Sequence, residues 1–243
     1  MGYPLVAGEL ELACDLVSSR IAWLDLSVAP GDGVSGRPTI DTEAVAAGDP
    51  TGLAQLAAWR ERVEQVWLRT YGAAQPPHIA ATFVLGWYLD ALAHPVAHAA
   101  ELGPWVLDVA PGAVAIQPHP TQGYPERVLV APTASHQVVA AESVRRRRAQ
   151  ERYRAHAEAV ASAYAVPRVR MSTRQRLGMV DDLWRAATVR ARASARSPLL
   201  TPTGDADGDQ VRRSCCFIYA LPGGGLCSTC PRRTRRVPAP RST

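Results

Sequence analysis

Residues 78–102, HIAATFVLGWYLDALAHPVAHAAEL, are apolar on nearly every side of a helical projection. A helix without a polar face has to be enclosed, so this stretch predicts a central helix of the fold. Pro95 is expected to break or kink it, because proline removes a backbone donor and crowds the preceding turn. The most apolar run, Ile79 to Leu89, stops at Asp90 and is shorter than the roughly 20 residues a membrane-spanning helix requires. No membrane span is expected. His94 and His98 stand four apart, a spacing that places two metal ligands on one helix face. With Pro95 between them, two polar positions at a helix end are favoured over a metal site.

The flanking sequence also reads as helical. Leu12, Leu16, Val17, Ile21 and Leu24 fall close to helical spacing between Glu9 and Leu26, with Cys14 among them as a small buried hydrophobe. APGDGVSGRP, residues 29–38, is a loop by its Gly and Pro content. Asp49 can cap a second helix that has Pro50 at its first position and Gly72 just past its end. Leu53, Leu56, Val63, Val66 and Trp67 would face the core. Two short β-rich runs, Ala113 to Gln117 and Arg127 to Ala131, surround a Pro- and Gly-rich connection and predict a β-hairpin carrying most of the strand content. From Glu142 to Arg196 the pattern is helical again. Ser172 and Gln175 form a capping-box pattern for a helix that would bury Leu177, Val180, Leu183 and Trp184.

The expected fold class is therefore mostly α within α+β: a helical domain with a small β-hairpin, followed by a short cysteine-rich segment. The domain reading assigns residues 1–200 to the helical domain, 201–210 to a linker, 211–232 to the cysteine segment and 233–243 to a basic flexible tail.

A chain of 243 residues, 47% hydrophobic and 20% charged, has an ordinary globular composition. Its charge is less ordinary, since all 27 basic residues are Arg and the net charge is +5. Fourteen Arg stand against five acidic residues between Glu142 and Arg196. Such a region is either a solvated basic face or a docking surface for an anionic ligand, an acidic protein or nucleic acid. MGYPLVAGELELACDL has no basic leader and no uninterrupted apolar region before Glu9, so it is not expected to be a secretory signal. Val6 does not fit the myristoylation pattern. The expected location is the cytoplasm, where thiols stay reduced and clustered cysteines point to metal or redox chemistry.

Four of the five cysteines lie within CCFIYALPGGGLCSTCP, residues 215–231. Cys215, Cys216, Cys227 and Cys230 could serve a zinc site, two disulfides or an iron–sulfur cluster. Zinc sites of four cysteines usually pair two chelating knuckles, and only Cys227 and Cys230 have that spacing. A reducing compartment disfavours disulfides. A cluster of two irons tolerates looser ligand spacing and is the favoured reading. Adjacent residues of a strand point to opposite faces, so the backbone at Cys215 and Cys216 should be bent. PGGG, residues 222–225, would let main chain approach a cofactor and aim N–H groups at its sulfurs. Arg212, Arg213, Arg232, Arg233, Arg235 and Arg236 bracket the segment, and a 2Fe-2S cluster with four thiolates carries a charge of about −2.

RRSCCFIYALPGGGLCSTCP is similar to the C-terminal signature of the FhuF-like ferric-siderophore reductases, Cys-Cys-x10-Cys-x2-Cys. The likeness includes Arg212 and Arg213 before the pair, Tyr219, the Gly-rich turn and Pro231. It covers about twenty residues specifically, and the preceding region resembles that family only in layout. The resemblance implies that Cys215, Cys216, Cys227 and Cys230 bind a 2Fe-2S cluster, with no catalytic residue beyond these ligands. It also implies a cytoplasmic oxidoreductase that reduces Fe(III) held by a siderophore, usually a hydroxamate, with an unidentified electron donor. Two rival readings stand beside it: a non-enzymatic iron–sulfur sensor or electron carrier, and a zinc-stabilised nucleic-acid-binding module, the less favoured of the two.

Overall fold

The computed structural model describes residues 2–30, 37–196 and 211–233. The described residues are 55% helical and 11% strand, which establishes the mostly helical α+β class. Its helices are α1 (Ala7–Ser18), α2 (Thr42–Ala47), α3 (Pro50–Tyr71), α4 (Pro77–Leu102), α5 (Glu142–Ala163) and α6 (Thr173–Arg196).

Helix α4 is the axis of the fold, as its composition requires. It is buried almost continuously from Ile79 to Ala100, with α1, α3, α5 and α6 packed around it. Pro95 does not break it; the helix runs through that position. Packing on all sides outweighs the lost backbone bond, a defect of about 3 kcal/mol in an unsupported helix. The full helix is 26 residues and is long and apolar enough to cross a membrane, which the run Ile79–Leu89 alone did not suggest. Its most apolar window is 78% buried inside the fold, so neighbouring helices already supply the apolar surroundings it needs.

His94 and His98 lie inside this core rather than at a helix end. Their rings stack with centroids 5.6 Å apart, and His98 Nδ1 bonds the His94 carbonyl at 2.8 Å. Among the described residues no third ligand joins them.

The caps of α3 form as expected: Asp49 accepts from the Thr51 N–H at 2.7 Å, and Gly72 closes the helix at φ 70°. Leu56, Val63 and Trp67 are buried, and Trp59, absent from the sequence reading, is buried more deeply than Trp67. Leu53 and Val66 are only partly buried. The first helix is shorter than expected. It ends at Ser18, whose hydroxyl accepts from the Leu26 N–H at 2.7 Å and donates to the Leu26 carbonyl at 2.9 Å. The chain turns there into strand β2 (Asp25–Val28), with β1 (Tyr3–Pro4) preceding α1. Ile21 and Leu24 are still buried, so their apolar spacing is satisfied by a turn rather than a helix, while Leu12 is exposed.

The predicted hairpin is present as β5 (Val114–Pro118) and β6 (Pro125–Val130), antiparallel with Val114 opposite Val130. It is not alone. Strand β2 adds in parallel to β6, and β3 (Ile40–Asp41) adds antiparallel to β5, giving the order β2-β6-β5-β3. A second sheet, order β1-β7-β4, joins β4 (Trp105–Val106) and β7 (Gln137–Val138) to the N-terminal strand. Strands of two to four residues are too short to show alternation in the sequence.

Many arginines of α5 and α6 are part of the internal fabric. Arg145 donates to the carbonyls of Ala100, Val139 and Ala140, and Arg146 makes a two-pronged contact with Glu101. Arg176 donates to the carbonyls of Ala161 and Met171. These side chains join α5 and α6 to the end of α4 and to the sheet connections. Ser172 Oγ accepts from the Gln175 N–H, forming one half of the capping box. Val180 and Leu183 are buried and Trp184 stacks on Tyr153, whereas Leu177 is 37% exposed.

Candidate metal centre

The cysteine segment docks on α6 through one carboxylate. Asp182 is buried at 3% exposure, next to Leu183 and one helical turn from Ala186 of the core face. Its oxygens accept from the Arg213 N–H at 3.0 Å, the Ser214 N–H at 2.8 Å and the Ser214 hydroxyl at 2.6 Å. Asp181 beside it holds the Arg213 guanidinium at 3.2 Å and Arg154 at 2.6 Å. Both backbone amides immediately before Cys215 are thus fixed to the helical domain. Sequence reasoning missed Asp182, and the only signal was an adjacent acidic pair on a helix otherwise rich in Arg.

Beyond this anchor the backbone bends, as the adjacent cysteines require. Residues 211–217 form no strand, and Phe217 adopts φ 59°, a left-handed conformation rare for an aromatic residue. That bend turns the Phe217 backbone N–H toward Cys215, where its hydrogen bond lowers the thiol pKa against the larger, opposing effect of burial. A 3-10 turn, Ile218–Ala220, follows, and Leu221 inserts into the core at 8% exposure. The Phe217 ring meets His78 at the start of α4 edge-on, centroids 4.9 Å apart.

The glycine turn folds tightly against its own backbone. Gly223 has φ 74°, and the Gly224 N–H donates to the Leu221 carbonyl at 2.8 Å. A Cβ on Gly224 would stand 2.1 Å from the Ile218 carbonyl oxygen. Glycine is therefore needed for close approach of the segment to its own backbone, and this N–H is not directed at a thiol. The chain then returns to its start: the Arg212 N–H donates to the Thr229 carbonyl at 2.9 Å, and the Cys230 N–H to the Cys227 carbonyl at 3.0 Å.

This closure brings two of the four predicted cysteines into contact and leaves Cys215 and Cys230 near enough to act on them electrostatically. Cys216 and Cys227 have their sulfurs 3.8 Å apart. That is about the edge of a sulfur tetrahedron around one metal with bonds of about 2.3 Å. Burial pushes the Cys227 thiol up to about 11, with the neighbouring Cys216 adding to the rise and Arg212 opposing it. Burial also raises Cys215, and it feels Cys230, Arg232 and Cys227. Cys230 is 2% exposed, whereas the other three are partly exposed. None of the five cysteines forms a disulfide. Cys14 is buried in the core beside α4, far from this chemistry in role, and burial pushes its thiol to about 12.

Among the described residues no three His, Cys, Asp or Glu side chains converge as ligands of a single ion. The thiols approach as a pair within a looser group of four. A 2Fe-2S cluster needs two thiolates on each iron, so this arrangement fits the binuclear group better than a closed mononuclear site. Positive charge is close by: Arg232 lies over the Tyr219 ring at 4.4 Å and acts on Cys215, while Arg212 acts on Cys227. Arg213 is engaged by Asp181, and Arg233 donates to the Ser228 carbonyl at 3.3 Å. Arg235 and Arg236 lie outside the described residues, as do the proposed linker 201–210 and the tail from residue 234.

None of the curated protein sequences matches this chain. Residues 212–232 match the family model of the FhuF 2Fe-2S C-terminal domain. The matched span runs from the first residue that closes the loop, Arg212, to the arginine stacked on Tyr219, and it contains all four clustered cysteines. Clustered thiols and matched domain together fit a 2Fe-2S cluster, and the match makes the chain consistent with an FhuF-like family member.

Proposed function

We propose that this protein is a cytoplasmic ferric-siderophore reductase in which Cys215, Cys216, Cys227 and Cys230 hold a 2Fe-2S cluster. The observation that carries the reading is the contact of Cys216 with Cys227 within the four-cysteine segment that matches the FhuF 2Fe-2S C-terminal domain. When bound, such a cluster supplies a one-electron carrier. The substrate is Fe(III) in a hard oxygen chelate of the hydroxamate type, which binds Fe(II) far more weakly. One electron from an external one-electron donor converts Fe(III) to Fe(II), and the freed hydroxamate oxygens take protons from solvent.

The chain's own residues have positioning and electrostatic tasks. Asp182 holds the entry to the cysteine segment on α6, Leu221 anchors its middle in the core, and the Arg212–Thr229 bond closes its ends. Arg212 and Arg232 favour the thiolate forms that ligation requires. The Phe217 N–H donates to Cys215, a contact of the kind that tunes a ligating sulfur. No covalent bond of an organic group is broken, so no general acid, base or nucleophile is required.

Anaerobic purification followed by iron and sulfide analysis, absorption and EPR of the reduced protein tests the cofactor. Turnover of ferrioxamine B with a chemical reductant, trapped as Fe(II), tests the activity. Cys216→Ser and Cys227→Ser are each expected to abolish the cluster absorption and the siderophore-dependent Fe(II) signal. Retention of both in these variants would refute the reading.

A further inference from the structure

A cleft open to solvent, with about 120 Å³ of water-accessible space, lies between α4, α6 and the start of the cysteine segment. We propose that it is the docking site for the ferric chelate, an inference that rests on the reductase reading above. Cys215 and Cys216 form part of its wall, whereas Cys227 and Cys230 do not. The cleft thus meets the cysteine segment at its adjacent pair and is otherwise walled by α4 and α6. A chelate seated there would contact the residues that carry two of the four sulfurs, a short path for one electron.

The helical walls suit a compact chelate with aliphatic links. Phe83 and Trp87 present partly exposed rings on a helix that is otherwise almost wholly buried. The rings pack edge to face at 5.4 Å, and Trp67 supports Phe83 from behind at 5.2 Å. Gly86 lies between them in sequence and opens the floor, since an added Cβ would meet only the Met179 methyl at 3.4 Å. Met179 and Leu183 of α6 complete the apolar side. The charged lining consists of Asp90 and Arg212, one of each sign.

That balance selects among iron chelates. Three hydroxamates neutralise Fe(III), whereas three catecholates leave a strongly negative complex that would call for an excess of basic groups. The cleft has no such excess. Aromatic and thioether surfaces without a basic excess match the neutral tris-hydroxamate core.

The test uses the full-length holoprotein and gallium(III) desferrioxamine B, a redox-inert stand-in for the ferric complex, with binding read by calorimetry. Gly86→Leu fills the cleft without removing a core side chain, and Trp87→Ala removes one wall. Each is expected to weaken gallium-chelate binding by at least about tenfold and to raise KM for ferrioxamine B, with the cluster absorption and EPR spectra unchanged. A gallium tris-catecholate is expected to bind at least about tenfold more weakly than the hydroxamate. Unchanged gallium-chelate affinity in both variants, with wild-type turnover intact, would overturn the site while leaving the reductase reading in place. Absence of binding and of turnover in the wild-type holoprotein would overturn both. Equal affinity for the catecholate complex would overturn the charge argument for the site.

Discussion

Replacing Asp182 by Ala should release the cysteine segment from the helical domain while leaving that domain folded. The carboxylate accepts three hydrogen bonds at 2.6 to 3.0 Å, two of them from the backbone amides that precede Cys215. Hydrogen bonds to a charged group contribute about 1.5–3 kcal/mol each, but three on one carboxylate do not add. The better guide is the cost of removing one partner from a buried charged network, about 3–5 kcal/mol. At about 1.4 kcal/mol per tenfold, the segment should open roughly 100- to 4,000-fold more often. Hydrogen exchange at the Arg213 and Ser214 amides reads that opening directly, since both donate to Asp182 in the closed form. Exchange there should accelerate by the stated factor and the holoprotein should lose iron faster. The melting of the helical domain, followed by far-UV circular dichroism, should change little, because no core contact of α4 with α6 is removed. Asp182→Asn keeps one acceptor oxygen and should fall between the two. Wild-type protection at Arg213 and Ser214 in the Ala variant would refute the assignment of Asp182 as the anchor.

Gly224→Ala would place a methyl group 2.1 Å from the Ile218 carbonyl and 2.9 Å from that of Leu221. The turn must shift, and iron retention on gel filtration should drop; undiminished iron content would contradict the close-approach argument. Acid should destabilise the core through its buried histidines. Burial lowers His98 and His156 to about 4, against about 6.5 in the unfolded chain. The unfolded chain therefore takes up protons first. The stability from the neutral folded forms is complete above about pH 6.5 and is lost as pH falls toward 4. Urea unfolding should be about 2 kcal/mol less favourable to the folded state per histidine at pH 5 than at pH 7. A flat profile between those values would refute it. Trp59→Phe removes the indole donor to the Gly123 carbonyl inside the core and should cost about 1–3 kcal/mol in the same assay.

The elements legible in the sequence were those whose signal is local. An all-apolar stretch has to be enclosed, and α4 is. Asp49, Pro50 and Gly72 mark helix ends because their side chains or backbone angles act within one turn. The adjacent cysteines required a bent backbone, found at Phe217, and their spacing carried the family likeness of residues 212–232. Where the local signal was ambiguous, the reading failed. Ile21 and Leu24 have helical spacing yet are buried in a turn, because burial needs only that a side chain reach the core. Pro95 breaks helices in water and is tolerated inside α4, because surrounding helices hold both sides in place.

The sequence by itself determined the kind of chemistry: four thiols at a spacing unsuited to paired zinc knuckles, on a chain with one wholly apolar helix. Tertiary structure decided how those thiols meet and what faces them. The anchoring carboxylate lies 31 residues from the Arg213 amide it binds, across residues 197–210, and no periodicity links such positions. The same holds for the cleft, whose walls come from α4, α6 and the cysteine segment. Long-range pairings of this sort depend on which surfaces remain after the core has closed. They are written into the fold as a whole rather than into any one stretch of chain.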